Sequence, residues 1–368
     1  MATAPSGDAL HQPTEKLRRL DANYIRAIAA VAVVQLHCVG ELVYNYQKDN
    51  PYDINWWTGN WYYTFLRWAT PFFIMLSGSL SLVGTKEETT REFLYKRLRR
   101  VMVPFAFWGI VYLVYENRGF IRDHKMPFWP AIQHKILFED IYYHLWFIPM
   151  IMGLYLLTPT FRIWAKNARK GDIEYFLILS FSITALQHFI PNLFIVKYVG
   201  WLGYIGFYVL GYYLSSYRVL WIRYLYPLAL LMLPLTAWGT WMYTKYAGAY
   251  VNTLFVYFSP NVVIMTFALF VFLKTRNWSG FAVRFPRINE RVNRFADRSF
   301  GVYFVHVLLI DLLKNGYLAG VQVTPTVFFN HSIHPVPGAF LHAMVVLLFS
   351  YLLIKLLLAI PGLRKVIL

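Results

Sequence analysis

A mainly apolar stretch near the start of the chain, from Asp21 to Glu41, carries Arg26 and His37 inside it and ends at Glu41. Arg26 and His37 are eleven residues apart. On an α-helix that spacing makes about three turns plus 20°, so both lie on one face, about 16 Å apart along the axis. Glu41, four residues after His37, shares that face. Ionisable groups inside a membrane-length helix are costly unless they face a protein interior or a watery cavity, so the stripe predicts a functional site; a charge-balanced packing seam is the alternative.

A second group of candidates is the basic segment REFLYKRLRR, residues 91–100. It carries Lys96, Arg97, Arg99 and Arg100 directly before an apolar run. The planar guanidinium group matches the geometry of a phosphate, which favours a site for a phosphate-rich ligand. The alternative is a topology anchor that binds anionic lipid, as basic clusters beside membrane helices commonly do.

The other histidines give weaker signals. His144 and Trp146 begin the fourth apolar run, where an aromatic ring could stack on a sugar, although tryptophan at this depth is more often an interfacial anchor. His306 and His342 are interpreted as hydrogen-bonded packing residues. No grouping of His, Cys, Asp and Glu has the spacing of metal ligands, so no metal is expected.

The elements that must position these side chains are membrane helices. The chain has 368 residues, of which 58% are hydrophobic and only 14% charged, and its mean hydropathy is +0.43. Because apolar runs of helix-spanning length recur along the chain, we predict an all-α, polytopic integral membrane protein with about ten transmembrane helices. The expected organisation is a tail over residues 1–20, a transmembrane domain over 21–361 and a second tail over 362–368.

The distribution of charge predicts the orientation. The net charge of +17 comes from basic residues, and these fall almost wholly in every second loop between the predicted spans. This pattern is positive-inside bias rather than a nucleic-acid footprint, so both termini are expected in the cytosol and no nucleic acid is expected as a partner. The loop 116–143, with His124 and His134, and the loop bearing His331 and His334 are expected outside. The basic loop 274–298 is expected inside.

Two further expectations concern the helices themselves. The first span is expected to continue as one helix through Glu41 to about Val43. The second is expected to run from about Trp61 to Val83 with Pro71 in its middle, where neighbouring segments would have to satisfy the interrupted backbone.

Four motifs, in order along the chain, resemble those of the membrane acyltransferase-3 family, the multi-span bacterial O-acyltransferases of cell-surface glycans. They are the arginine and histidine of the first span, FFIMLSG on the second, the arginine pair Arg97 and Arg100, and SFGVYFVH on the ninth. HLWFIPMIMGLYLLTP and the YFSPNVVIM region look closest to the branch containing the O-acetyltransferase of enterobacterial common antigen. The resemblance covers residues from about 20 to 361.

The resemblance implies transfer of an acyl group, usually acetyl from acetyl-CoA, to a sugar hydroxyl of a polysaccharide or its lipid-linked precursor, in the bacterial cytoplasmic membrane. A hydroxyl needs a base as it attacks a thioester, which makes His37 the candidate base; a transient acyl-histidine is the alternative. Arg26 could hold a phosphate or the pantetheine end of the donor, or pair with an acid. Glu41, if ionised, would act on the same imidazole.

The remaining candidates follow the same scheme. Arg97 and Arg100, with Lys96 and Arg99 beside them, would receive the nucleotide of coenzyme A, and His144 and Trp146 would face the acceptor. Membrane lipid is a further expected partner, and the oligomeric state is left open. A glycan transporter or flippase, with the charged first helix lining its path, is the competing hypothesis. The lack of an inverted repeat in the sequence counts against it.

Overall fold

The computed structural model describes residues 15–83, 88–122, 133, 135, 140–190, 202–219 and 222–367. The predicted loop histidines His124 and His134 lie outside these residues. The described part of the chain is mostly helical. Its helices are α1 (Glu15–Cys38), α2 (Gly40–Tyr44), α3 (Ile54–Leu66), α4 (Ala69–Ser81), α5 (Thr90–Glu116), α6 (Arg118–Arg122), α7 (Phe147–Asn167), α8 (Lys170–Phe189), α9 (Leu202–Ser216), α10 (Ile222–Ala247), α11 (Pro260–Lys274), α12 (Trp278–Arg284), α13 (Pro286–Lys314), α14 (Pro335–Leu357) and α15 (Arg364–Ile367), with a 3₁₀ turn at Thr253–Phe255.

Five described segments are long and apolar enough to cross a membrane, namely α5, α7, α10, α14 and the stretch Thr253–Lys274 that ends in α11. The protein is therefore an all-α membrane protein, apart from a two-residue antiparallel hairpin of β1 (Val327–Phe328) and β2 (His331–Ser332) between α13 and α14. The ten-span topology and the location of the termini stay predictions. Helix α1 lies at the centre of the fold, in contact with α3, α4, α13 and α14.

The first helix is shorter than its sequence predicted. Helix α1 ends at Cys38, and α2 begins only at Gly40. Glycine has a poor helix propensity, and Val39 before it departs from regular helix geometry, with φ −98° and ψ −1°. As a result Glu41 is not on the face of α1 that carries Arg26 and His37. Its carboxylate pairs instead with Lys314 at 3.1 Å.

The predicted second span is two helices, α3 and α4, separated at Arg67 and Trp68. The prediction of a proline in mid-helix was wrong, because Pro71 lies in the first turn of α4. A proline is tolerated there, since the first backbone N–H groups of a helix have no partner within it. Helix α3 also begins at Ile54, before the predicted start of the second span at about Trp61.

Segments expected to be loops or tails are helical elsewhere too. The basic segment 91–100 belongs to α5, a single helix of 27 residues that starts with a capping box between Thr89 and Glu92. The basic loop expected over 274–298 contains α12 and the first half of α13. The expected C-terminal tail contains α15, which buries Ile367 and packs against α5.

Helices α4 and α9 cross with their backbones in direct contact. A Cβ added to Gly78 would lie 1.8 Å from the carbonyl oxygen of Tyr208, and one added to Gly211 would lie 1.9 Å from that of Met75. Only glycine allows such an approach, as at the small-residue crossings of membrane helices. The glycine of the FFIMLSG motif therefore fixes the position of α4 against its neighbour.

Candidate active site

One cavity joins most of the residues that the sequence predicted to be functional. Its empty volume is about 1350 Å³, including the part that is open to solvent. Helices α1, α4, α5, α7 and α13 supply its walls, together with the turn before α7 and Tyr257. Of the predicted site residues, it is lined by Arg26, His37, Arg97, Arg100, His144 and Trp146.

Three arginines gather at one end of the cavity, and we call Arg26, Arg97 and Arg100 the arginine cradle. The three are close enough to interact electrostatically, and Asp297 of α13 lies beside them. Asn23 holds Arg26, since its side-chain oxygen accepts a hydrogen bond from Nη1 at 3.1 Å. Three cations against one carboxylate leave this end of the cavity positively charged.

The other two basic candidates point elsewhere. Lys96 pairs with Glu88 at 3.7 Å, and Arg99 donates a hydrogen bond of 2.7 Å to the hydroxyl of Tyr95. Neither side chain lines the cavity. Arg97 and Arg100 are three residues apart and therefore share a face of α5, which Val101 extends along the cavity wall. Arg99 lies on another face, whereas Lys96, four residues before Arg100, is directed away from the cavity by its pairing with Glu88.

Three imidazole rings meet at the other end, and we call His37, His144 and His306 the histidine cluster. The ring centroid of His37 lies 5.2 Å from that of His306 and 6.5 Å from that of His144. The rings of His144 and His306 are 5.5 Å apart. His144 and His306 are fully buried, whereas His37 is partly accessible. Because Arg26 and His37 are eleven residues apart on α1, the cluster and the cradle are separated by about 16 Å.

The hydrogen bonds of His306 define its tautomer. Its Nδ1 atom lies 2.7 Å from the carbonyl oxygen of Tyr303 and 3.2 Å from that of Val302. Carbonyls only accept, so Nδ1 carries a proton and, in the neutral ring, Nε2 is an acceptor. No described atom donates to that buried Nε2. His306 is therefore hydrogen-bonded, as predicted, but it also lies beside His37, which the sequence interpretation missed.

The signal for this arrangement is present on α13. Ser299, Tyr303 and His306 follow each other at i, i+4 and i+7, which places them on one helical face. Ser299 and Tyr303 line the cavity, and the Tyr303 hydroxyl donates to the carbonyl oxygen of His144. This bond ties the turn before α7 to α13. The spacing within SFGVYFVH thus predicts a shared face, but not what that face meets.

The remaining predicted residues are placed as follows. Trp146 lines the cavity, with its ring 5.9 Å from that of Tyr257 and inclined to it by 29°. His144 precedes α7 instead of starting it, and it faces inward. Glu41 and His342 do not line the cavity. No group of His, Cys, Asp and Glu among the described residues could hold a metal ion.

Comparison with known proteins gives one match. The model of the acyltransferase-3 family, described as "Acyltransferase domain", matches residues 19–355. The match includes every residue of the cradle and of the histidine cluster. Searches of curated proteins and of solved structures found no match.

Proposed function

Because the chain belongs to the acyltransferase-3 family, we propose that it transfers an acetyl group from acetyl-CoA to a hydroxyl of a cell-surface polysaccharide or of its lipid-linked precursor. One observation carries the proposal: a single cavity reaches from the arginine cradle to the histidine cluster. The two ends are about 16 Å apart. A donor held by its phosphates at Arg26, Arg97 and Arg100 would extend its pantetheine arm along α1 and present the thioester near His37.

The proposed chemistry is direct transfer. The acceptor hydroxyl gives its proton to His37 while its oxygen attacks the carbonyl carbon of the thioester. The C–S bond then breaks, and the thiolate of coenzyme A takes the proton from the imidazolium. The products are an acetyl ester and free coenzyme A. An acyl-histidine is the alternative course, in which His37 itself attacks the thioester.

Neighbouring side chains support this role of His37. The acceptor atom Nε2 of His306 has no donor among the described atoms, and the ring of His37 is centred 5.2 Å away. A hydrogen bond from His37 to this atom, formed during turnover, would fix the tautomer of His37 and leave its other nitrogen as the base. Trp146 and Tyr257 supply an aromatic wall on which a sugar ring can stack. Glu41 has no part in the proposed site, since it pairs with Lys314 outside the cavity.

The reaction is tested by incubating the purified protein with radiolabelled acetyl-CoA and a panel of cell-surface glycans. We expect labelled glycan from the wild type. His37→Ala should lower turnover by about 10²–10⁴-fold, the contribution of a positioned base, and should still bind acetyl-CoA. His331→Ala, which removes an exposed histidine, is the matched control. A transporter would give no acetylated product, and near wild-type turnover of His37→Ala would exclude His37 as the base.

We also propose that the protein lies in the bacterial cytoplasmic membrane, with ten helices and the arginine cradle towards the cytosol. Cysteine substitutions test this orientation, since the native Cys38 is buried and gives little background. His331→Cys should react with a membrane-impermeant thiol reagent in intact spheroplasts, and Arg291→Cys should react only after lysis. The reverse pattern would contradict the orientation.

A further inference from the structure

A second cationic site lies beyond the histidine cluster, at the break between α3 and α4. Arg67 stands in that break, and its Nε atom donates to the carbonyl oxygen of Phe255 at 2.5 Å. Its guanidinium carbon lies 4.4 Å from the centre of the Tyr257 ring and 5.6 Å from that of Tyr63. Tyr257 lines the cavity, so Arg67 is separated from the cavity by the ring of this tyrosine.

The charge of Arg67 has no counter-charge in the part of the chain that the structure describes. No described carboxylate lies within ion-pair distance of it. Its hydrogen bond to the carbonyl oxygen of Phe255 uses Nε, which leaves the N–H groups of Nη1 and Nη2 for another partner. A cation in a membrane protein that lacks an acidic partner is costly, and such residues commonly mark ligand sites.

Tyrosine hydroxyls complete the site. Arg67 is close enough to Tyr63, Tyr250 and His37 to interact with each electrostatically. The Tyr63 hydroxyl donates to that of Tyr44 at 3.4 Å, so the Tyr44 O–H can donate outward. The rings of Tyr44 and Tyr250 are 5.2 Å apart. Tyr44 is 62% exposed, so this group of tyrosines around Arg67 is accessible from the surface.

We propose that Arg67, Tyr44 and Tyr250 bind a phosphate group of the acceptor. The Nη1 and Nη2 fork provides two parallel donors, and the two hydroxyls add donors from other directions, which suits a phosphate with its several oxygens. This inference rests on the proposed function and adds a chemical feature of its acceptor. The donor's phosphates bind at the arginine cradle and the acceptor's phosphate at Arg67, with the histidine cluster between them.

Binding without acetyl-CoA tests the site. The probe is an alkyl glucosyl phosphodiester in detergent solution, compared with the neutral alkyl glucoside of the same chain length by calorimetry. We expect the wild type to bind the phosphodiester at least about tenfold more tightly. Arg67→Gln should abolish this preference. Arg276→Gln is the matched control and should retain the preference. Arg276 makes the same kind of contacts at an exposed site: its Nε donates to the carbonyl oxygen of Phe272, and its guanidinium group lies over the Phe272 ring.

A second variant and a competition experiment complete the test. Tyr250→Phe keeps the contacts of Arg67 and should reduce the preference about tenfold, because it removes one hydrogen bond to a charged group. This variant gives an answer even where Arg67→Gln does not fold. Competition by inorganic phosphate in the wild type but not in Arg67→Gln indicates a site that also takes free phosphate. An Arg67-dependent preference without such competition indicates a site for lipid-linked phosphodiesters.

The inference fails if the wild type binds both glucosides equally, or if Arg67→Gln and Tyr250→Phe both keep the full preference. Acetyl transfer is measured in parallel. A phosphodiester preference that depends on Arg67, in a protein that never transfers acetyl, would support the site and contradict the proposed reaction. Acetyl transfer by a protein that shows no preference for the phosphodiester would support the proposed reaction and contradict the phosphate site at Arg67.

Discussion

The different positions of four neighbouring basic residues on α5 give a sharp test of the proposed donor site. Arg97 and Arg100 line the cavity, whereas Lys96 and Arg99 do not. We expect Arg97→Ala to weaken the binding of acetyl-CoA. A hydrogen bond to a charged group contributes about 1.5–3 kcal/mol, which corresponds to about ten- to 150-fold in the dissociation constant. Arg100 is more exposed, so the loss in Arg100→Ala should be smaller because solvent and salt screen its charge.

The matched controls come from the same turn of the same helix. Lys96→Ala and Arg99→Ala remove a charge each but only surface contacts, with Glu88 and Tyr95, and surface pairs contribute about 0–1 kcal/mol. Donor affinity is measured by calorimetry on detergent-solubilised protein. Arg97→Lys should lose affinity as well, since a lysine cannot supply the planar fork. Equal losses in all four alanine variants would refute the cradle and favour a lipid anchor.

Three further predictions test other parts of the structure. His306→Phe should lower kcat, measured in the acetyl-transfer assay, with little change in KM for acetyl-CoA, and His306→Gln, which keeps an acceptor, should recover part of the loss; a change in KM alone would contradict a role through His37. Gly78→Ala should destabilise the protein by at least about 1–3 kcal/mol in thermal unfolding, because its Cβ would overlap the backbone of α9. Gly153→Ala, with no atom within 4 Å of its Cβ, should not. Glu41→Gln should leave turnover and its pH profile unchanged, and a shifted profile would restore Glu41 to the site.

Much of the site could be predicted because helical periodicity fixes relative position within one element. The spacing of Arg26 and His37 placed both in the cavity, and the spacing of Arg97 and Arg100 placed both in the cradle. Glu41 shows the limit of the method. It satisfied the same periodicity, but the helix ended three residues before it.

Contacts between residues of different helices could not be predicted from helical periodicity. His306 and His37 are 269 positions apart in the sequence, and nothing local indicates that their rings lie 5.2 Å apart. Arg67 was overlooked because an uninterrupted second span would leave it as one more residue of a membrane helix. The break at Arg67, which places it under the 3₁₀ turn, depends on packing between α3, α4 and Phe255.

For the proposed reaction, the distance between the cradle and the histidine cluster has a kinetic consequence. The phosphates that the cradle would hold are about 16 Å from the reacting bond, and they are the same before and after transfer. Contacts this remote stabilise substrate and product alike, so they concentrate the donor without favouring its conversion. Spent coenzyme A should therefore compete with acetyl-CoA for the site at similar affinity. Turnover in the cell would then follow the ratio of the acetylated to the free cofactor, and the enzyme would report on the metabolic supply of acetyl groups.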